Sequence, residues 1–459
     1  MAGILRNRPL LLLAIGLIIG LSWHEYPWNA LFTLPLLMLI GDWRRSTPLL
    51  LGLAAGIAFG PNIPKSGLEK SLFLESEAVV ASVPRLYADR ISYVVNVQGK
   101  KLTVSEPPRI DRSLGDRLLI RGVAKPISEG TEDWLLLKGV IGRISPYEVA
   151  ELGHGPVWYR KASEVRKSFL AFSRRALNAD HAAMLDALCF NVDGGLEAGF
   201  EDSLRRSGTI HIVSASGLHT LVLAWIIDAV LGILPIPRPY RLTILAVLLS
   251  FYAAAAGLQP AIVRSVVMSM IALSAYLWQR EADLLSGLAL SSVLYLAWDP
   301  LGIYNIGFQF SFLTVGAFAI FGKFEEERLK SAGQAIRSVA LGTVKTTTIA
   351  YVATLPLLSF YFGAISLVSV FANIAIVPAA ITLVAVGMGA FMIYGVLPGL
   401  SEIAANGIIS PLLTYLEAGV TYFGNLSVAS INWGMNSGYW VVAIYVLMLI
   451  WARERVRPS

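Results

Sequence analysis

The stretch GTIHIVSASGLHTLVLAWIIDAVLGIL, residues 208–234, sets a polar opening against an apolar run. His211, Ser214, Ser216, Gly217 and His219 stand where a helix in lipid would carry aliphatic side chains. From Leu221 to Leu234 only Asp228 is ionisable. A polar group within a membrane span is costly, so it ordinarily faces protein or a watery cavity. Such a stretch suits chemistry, the lining of a path, or a break in a helix.

Outward from it the chain is mostly apolar: 459 residues, 55% hydrophobic and 15% charged, with a positive mean hydropathy. A soluble globular chain is about 25% charged, so the fold class expected is an α-helical polytopic membrane protein. Cys189 is the only cysteine, which excludes an intramolecular disulfide and a multi-cysteine metal site. The net charge of +6 is modest for this length and fits positive-inside topology before polyanion binding.

Apolar stretches near 9–22, 28–41 and 48–61 form an N-terminal three-helix module, residues 1–62. Arg6 and Arg8 precede the first, and no small-residue cleavage site follows it, so it reads as a retained helix. Arg44 and Arg45 separate the second and third, which places the N-terminus in the cytoplasm and the end of the third span outside.

Residues 63–150 change texture. Short β-rich runs (EAVVASV, RISYVVNVQ, KLTVS, DRLLIRGVA) alternate with turn signals QGKK, EPP and SLGD, predicting an extracytoplasmic sandwich or barrel of about five strands. Arg85, Arg90, Lys100, Lys101, Arg117 and Arg121 are its candidate strand-binding cations; nearly as many acids accompany them, so an ordinary solvated surface is the competing reading. Residues 151–208 follow as amphipathic and interfacial helices. In WYRKASEVRKSFLAFSRRAL, 158–177, Phe169 and Phe172 recur at helical spacing among basic residues, which predicts a helix lying against anionic lipid, with nucleic-acid contact as the alternative.

From 209 to 459 the chain forms a membrane core, with spans near 210–234, 240–257, 261–279, 284–298, 304–322, 340–361, 366–395 (interrupted by Pro378), 399–424 and 437–452. With the first module this makes about twelve, and both termini are cytoplasmic. Three more polar intrusions accompany the opening stretch: Arg264, then Gln309 and Ser311, then Asn373. In this topology all four places lie in the outer half of the bilayer and are expected to line a vestibule. Catalysis has little support. SASGL is not the GxSxG elbow, and Asp228 lies more than two helical turns from His219. The histidines form no HxH or HExxH grouping, and GAFAIFGKF at 316–324 lacks phosphate-loop spacing. No enzyme activity, metal or cofactor is expected.

Taken together, these motifs resemble those of ComEC-type competence proteins, the inner-membrane channels for DNA uptake. GTIHIVSASGLHT resembles the family's HllaiSGLH signature. GLQPAIVRSVVM, the block READLLSGLALSSVLYLAWDPLGIYNIGFQFSF and the block LPLLSFYFGAISLVSVFANIAIVP resemble three further family segments, in the family's order. The N-terminal triple span and external β-domain resemble its opening module, whose β-domain is OB-like.

The resemblance implies passive translocation of single-stranded DNA across the cytoplasmic membrane during natural transformation. Its implied partners are membrane lipid, a DNA receptor and a cytoplasmic helicase or strand-binding protein, with a separate nuclease, or none, beside them. The nine polar residues carry the motifs by position; their path-lining role is inferred. No HxHxDH occurs, so the form expected is the one without the family's C-terminal metallo-β-lactamase-like domain. A channel or transporter for another polyanion or surface polymer on the same core is the alternative.

Overall fold

The computed structural model describes residues 8–22, 43–58, 60, 67–68, 70–86, 90–107, 112–127, 135–136, 139–192, 195–213, 217–277, 283–322 and 332–432. The expected spans at 28–41 and 437–452 therefore lie outside the described residues.

Helices α1 (Pro9–Ser22) and α2 (Trp43–Ala58) pack through GLIIG at 16–20 and GLAAG at 52–56. A Cβ on Gly16 would sit 2.0 Å from the Leu49 carbonyl oxygen, and one on Gly52 2.1 Å from that of Leu13. Only glycine permits this backbone approach, which is how helices associate without a hydrophobic drive between them. The paired positions (13 with 52, 17 with 56) make the two helices parallel, so both start on the same face.

The β-domain is a closed barrel of β1 (Leu72–Val80), β3 (Ile91–Val97), β4 (Lys100–Glu106), β5 (Arg117–Lys125) and β6 (Val140–Gly153), with a short β2 (Arg85–Leu86) beside β3. Around the barrel the order is β1-β5-β6-β4-β3, closed by β3 on β1. β4 and β6 are parallel and every other pairing is antiparallel. Alternation turns Val95, Val104, Leu118, Ile120 and Ile144 inward. Gln98 and Gly99, both at positive φ, make the tight β3–β4 turn. A polar network is buried in the domain: Arg112 grips Glu106 with two bonds of 3.0 Å, and Tyr93 donates to the same carboxylate. Burial, together with that carboxylate, holds the Tyr93 phenol well above its ordinary range.

Three helices follow: α3 (Val157–Ala176), α4 (Ala179–Phe190) and α5 (Ala198–Ser207). The expected lipid-facing side of α3 is instead covered by protein. Phe169 packs 4.7 Å from Phe190 and 5.2 Å from Phe391, and Phe172 5.0 Å from Tyr394, centroid to centroid. Periodicity found the apolar face but could not name what covers it.

The core comprises α6 (Gly217–Ile233), α7 (Arg238–Ala255), α8 (Pro260–Leu277), α9 (Leu284–Trp298), α10 (Ile306–Phe321), α11 (Ala332–Phe362), α12 (Ser369–Tyr394) and α13 (Pro398–Asn425). A π-turn at Ala405–Ile409 lies within α13. Strands β7 (Ala364–Ser366) and β8 (Ser430–Asn432) pair beside them. Among the described residues, α12 and α13 are long and apolar enough to cross a membrane alone, and shorter apolar helices accompany them. Contrary to expectation, α12 runs unbroken through Pro378. Proline removes a helical N–H and crowds the preceding turn; there Tyr415 donates to the Ala375 carbonyl at 3.1 Å.

Two ion pairs stand at one end of this core, Arg8–Asp283 at 2.8 Å and Arg241–Asp228 at 2.7 Å. The barrel meets the other ends of the same helices, with Val83 against Gly257 after α7 and Gly139 against Leu301 after α9.

Candidate functional site

Arg264 enters one turn into α8 and is only 7% exposed. Its Nε donates to Ser311 Oγ at 2.7 Å, Nη1 lies 3.4 Å from Met268 Sδ, and the guanidinium stands 5.9 Å over the Phe312 ring. No carboxylate among the described residues lies within ion-pair distance of it. A buried cation held only by neutral groups is costly and has donor capacity to offer an anion. Two residues before Ser311, Gln309 donates to the Ile303 carbonyl at 3.0 Å and accepts from Tyr361 of α11 at 2.8 Å.

A second polar cluster surrounds the start of α12. Asn373 donates to Ser369 Oγ at 3.2 Å, while Asn373 Oδ1 and Ser366 Oγ are buried without a hydrogen-bond partner among the described residues. Tyr351 donates to the Ser366 carbonyl. Gly208, at φ 73°, closes the cluster: a Cβ there would sit 2.7 Å from Ser369 Oγ. His211 follows on a 3-10 turn, Ile210–Ile212, hydrogen-bonded to the Gly208 backbone.

The opening stretch lies between the two clusters, because α6 packs against both α8 and α12. Gly217 begins α6. His219 and Thr220 are buried in its first turn, whereas Leu221 and Trp225 point outward. Ser214 and Ser216 lie outside the described residues. Asp228 is paired with Arg241, as expected of a carboxylate at that end. The polar residues thus gather as two bonded groups flanking α6. Of them, His219, Arg264 and Asn373 are enclosed by protein, while Gln309 and Ser311 are half-buried and His211 is exposed.

The barrel cations do not share one face. Arg117 pairs with Glu77 at 3.0 Å, and Arg121 lies between Glu75 at 2.8 Å and Glu148 at 2.9 Å. Cross-strand register places those glutamates there, since Glu75 and Glu148 stand opposite Arg121. Arg85 and Arg90 are exposed near the β2–β3 end, with Lys100 and half-buried Lys101 at the far end of β3.

A family model described as Competence protein matches residues 188–457, more than half of the chain. The chain belongs to the competence protein family. All nine polar core residues fall within the matched competence region; the barrel lies outside it. The chain is 22% identical over 318 residues to ComE operon protein 3 of Bacillus subtilis (strain 168), covering 66% of this chain and 40% of that protein. It is 26% identical over 370 residues to competence protein ComA of Neisseria gonorrhoeae, covering 72% and 50%. It therefore spans half or less of the length of these curated relatives. No solved structure matches.

Sequence reading missed the partners that organise this competence core: Tyr361, Tyr351, Ser366 and Ser369. Two of them carried a signal. Ser369 precedes Asn373 by four residues, the helical spacing for facing side chains. Tyr361 stands in the same family block, LPLLSFYFG.

Proposed function

We propose that the protein conducts single-stranded DNA across the cytoplasmic membrane during natural transformation. It acts as a passive, non-enzymatic channel that draws energy and substrate from partners: a DNA receptor outside, a helicase or strand-binding protein inside, and a separate nuclease. Family membership supports a part in DNA uptake. Arg264 carries the rest of the reading. A phosphate passing α8 and α10 would supply the anion that the described residues do not, through charge-assisted bonds.

The same reading orders the molecule about a bilayer of about twelve spans. Outward-facing Leu221, Trp225, Val247, Leu294 and Ile403 suit a lipid solvent. The parallel packing of α1 and α2 is consistent with the span expected from sequence at 28–41. The face bearing Arg8 and Arg241 is then cytoplasmic and the barrel face extracytoplasmic. The barrel's closure, with β4 parallel to β6, supports the OB-like reading, a fold suited to receiving a strand.

Binding measures this directly. The full chain in lipid nanodiscs should bind a labelled oligo-dT strand, and affinity should fall as salt rises, because each neutralised phosphate releases counterions. Absence of binding at low salt would overturn the strand-conducting reading.

A further inference from the structure

We infer that the barrel carries a base-stacking platform made of Phe73 and Tyr147, flanked by Lys125 and Arg143, and that its ligand is a single-stranded nucleic acid. The inference rests on the strand-conducting function proposed above and names the site where the barrel would first hold the strand. It uses none of the six basic residues considered from sequence.

The geometry comes from three neighbouring strands. On β5, Val123 and Lys125 face outward, as shown by the alternation of buried and open positions along Arg117–Lys125. Phe73 of β1 stands opposite Val123, and Arg143 of β6 stands opposite Lys125. The register shift in β6 near Pro146 brings Tyr147 out onto the same face. There the two rings stack, centroids 6.1 Å apart and planes 25° off parallel. Both stay open to solvent, Phe73 at 57% and Tyr147 at 65%.

The stacked pair leaves more than half of each residue open, offering π-faces that any base can use. The charges fit as well. Lys125 and Arg143 are exposed, and no carboxylate among the described residues lies within ion-pair distance of either. On the other side the patch is bounded by Glu75 and Glu148, both held by Arg121. Aromatic faces beside unneutralised cations match a polyanion with stackable bases. Among the described residues, the barrel contacts with the helical core at Val83 and Gly139 lie outside this patch.

The full chain in nanodiscs is titrated with labelled oligo-dT and with an abasic strand of equal length. Phe73→Ala combined with Tyr147→Ala should weaken oligo-dT binding roughly tenfold or more and leave abasic binding unchanged; Tyr147→Phe should bind as the parent does. Lys125→Gln with Arg143→Gln should flatten the salt slope by about 1.4, at about 0.7 per phosphate contact on a single strand. Parent-like binding of oligo-dT by the alanine pair would remove the platform while leaving strand binding by the protein intact. If the parent itself bound neither strand, the functional reading would fail. A bimane attached at Tyr147→Cys should escape quenching by nitroxide-labelled lipid; strong quenching would reassign this face to the membrane.

Discussion

Arg264 shows how a single side chain can cost stability and serve function. Its guanidinium is buried beside one hydroxyl, a thioether and a ring, with no carboxylate among the described residues to neutralise it. Arg264→Gln removes the charge and keeps a group able to bond Ser311. The expected result is an unchanged or raised melting temperature and a ten- to hundredfold loss of DNA uptake, since a charge-assisted bond contributes about 1.5–3 kcal/mol. Parent-like uptake would show that the residue only packs. Asp186 on α4 gives a pH test. Burial pushes its carboxyl up to about 7, against the bond it accepts from Ser173 at 2.5 Å. The folded protein therefore holds that proton after the unfolded chain has lost it, so this group's contribution to stability declines as pH rises from about 4 toward 7. Asp186→Asn should flatten that decline in thermal melts and stabilise the protein at pH 8. At this scale the sequence exposed the expensive residues, Arg264, Gln309 and Asn373, because ionisable and amide groups stand out in apolar text. It concealed Ser366 and Tyr351, whose importance comes from burial and pairing.

Among the elements, α1 and α2 have the most sharply constrained contact. The carbonyls of Leu49 and Leu13 occupy the space where side chains at Gly16 and Gly52 would begin. Gly52→Leu should separate the pair and lower stability by about 1–3 kcal/mol, as overpacking does, read as a lower detergent melting temperature; Gly52→Ala should do less. An unchanged melt for both would show that the helices do not associate through this contact. The glycines were visible in the sequence, but two GxxxG stretches do not reveal that each serves the other. Proline 378 is a similar case. Chain chemistry predicts a break, yet α12 continues through it, with Tyr415 of a neighbouring helix donating to the Ala375 carbonyl next to the one that proline leaves without its N–H. The barrel was the most legible element, since alternation and turns are local. Its cation pattern was not, because Glu75, Glu77 and Glu148 reach Arg117 and Arg121 only after the strands close.

Across the whole molecule, sidedness links sequence to function. The ion pairs Arg8–Asp283 and Arg241–Asp228 mark one face, and the barrel sits on the other. Between them, the polar groups around α6 are bonded to one another, so under the proposed function a passing strand would have to displace contacts among α8, α10 and α12. Next to them, His219 lies buried in the first turn of α6 while Leu221 and Trp225 are exposed on its outer surface. The order of the elements was readable from apolar runs and charge. The closure was not, because it depends on hydrogen bonds between residues as far apart as Gln309 and Tyr361. The central claim is tested most directly by deleting the gene in its native host and measuring entry of labelled DNA into the cytoplasm. The account predicts that DNA still binds at the cell surface, that entry is abolished, and that the parent gene restores it while Arg264→Gln does not. Cytoplasmic entry at the parental level in the deletion strain would contradict it.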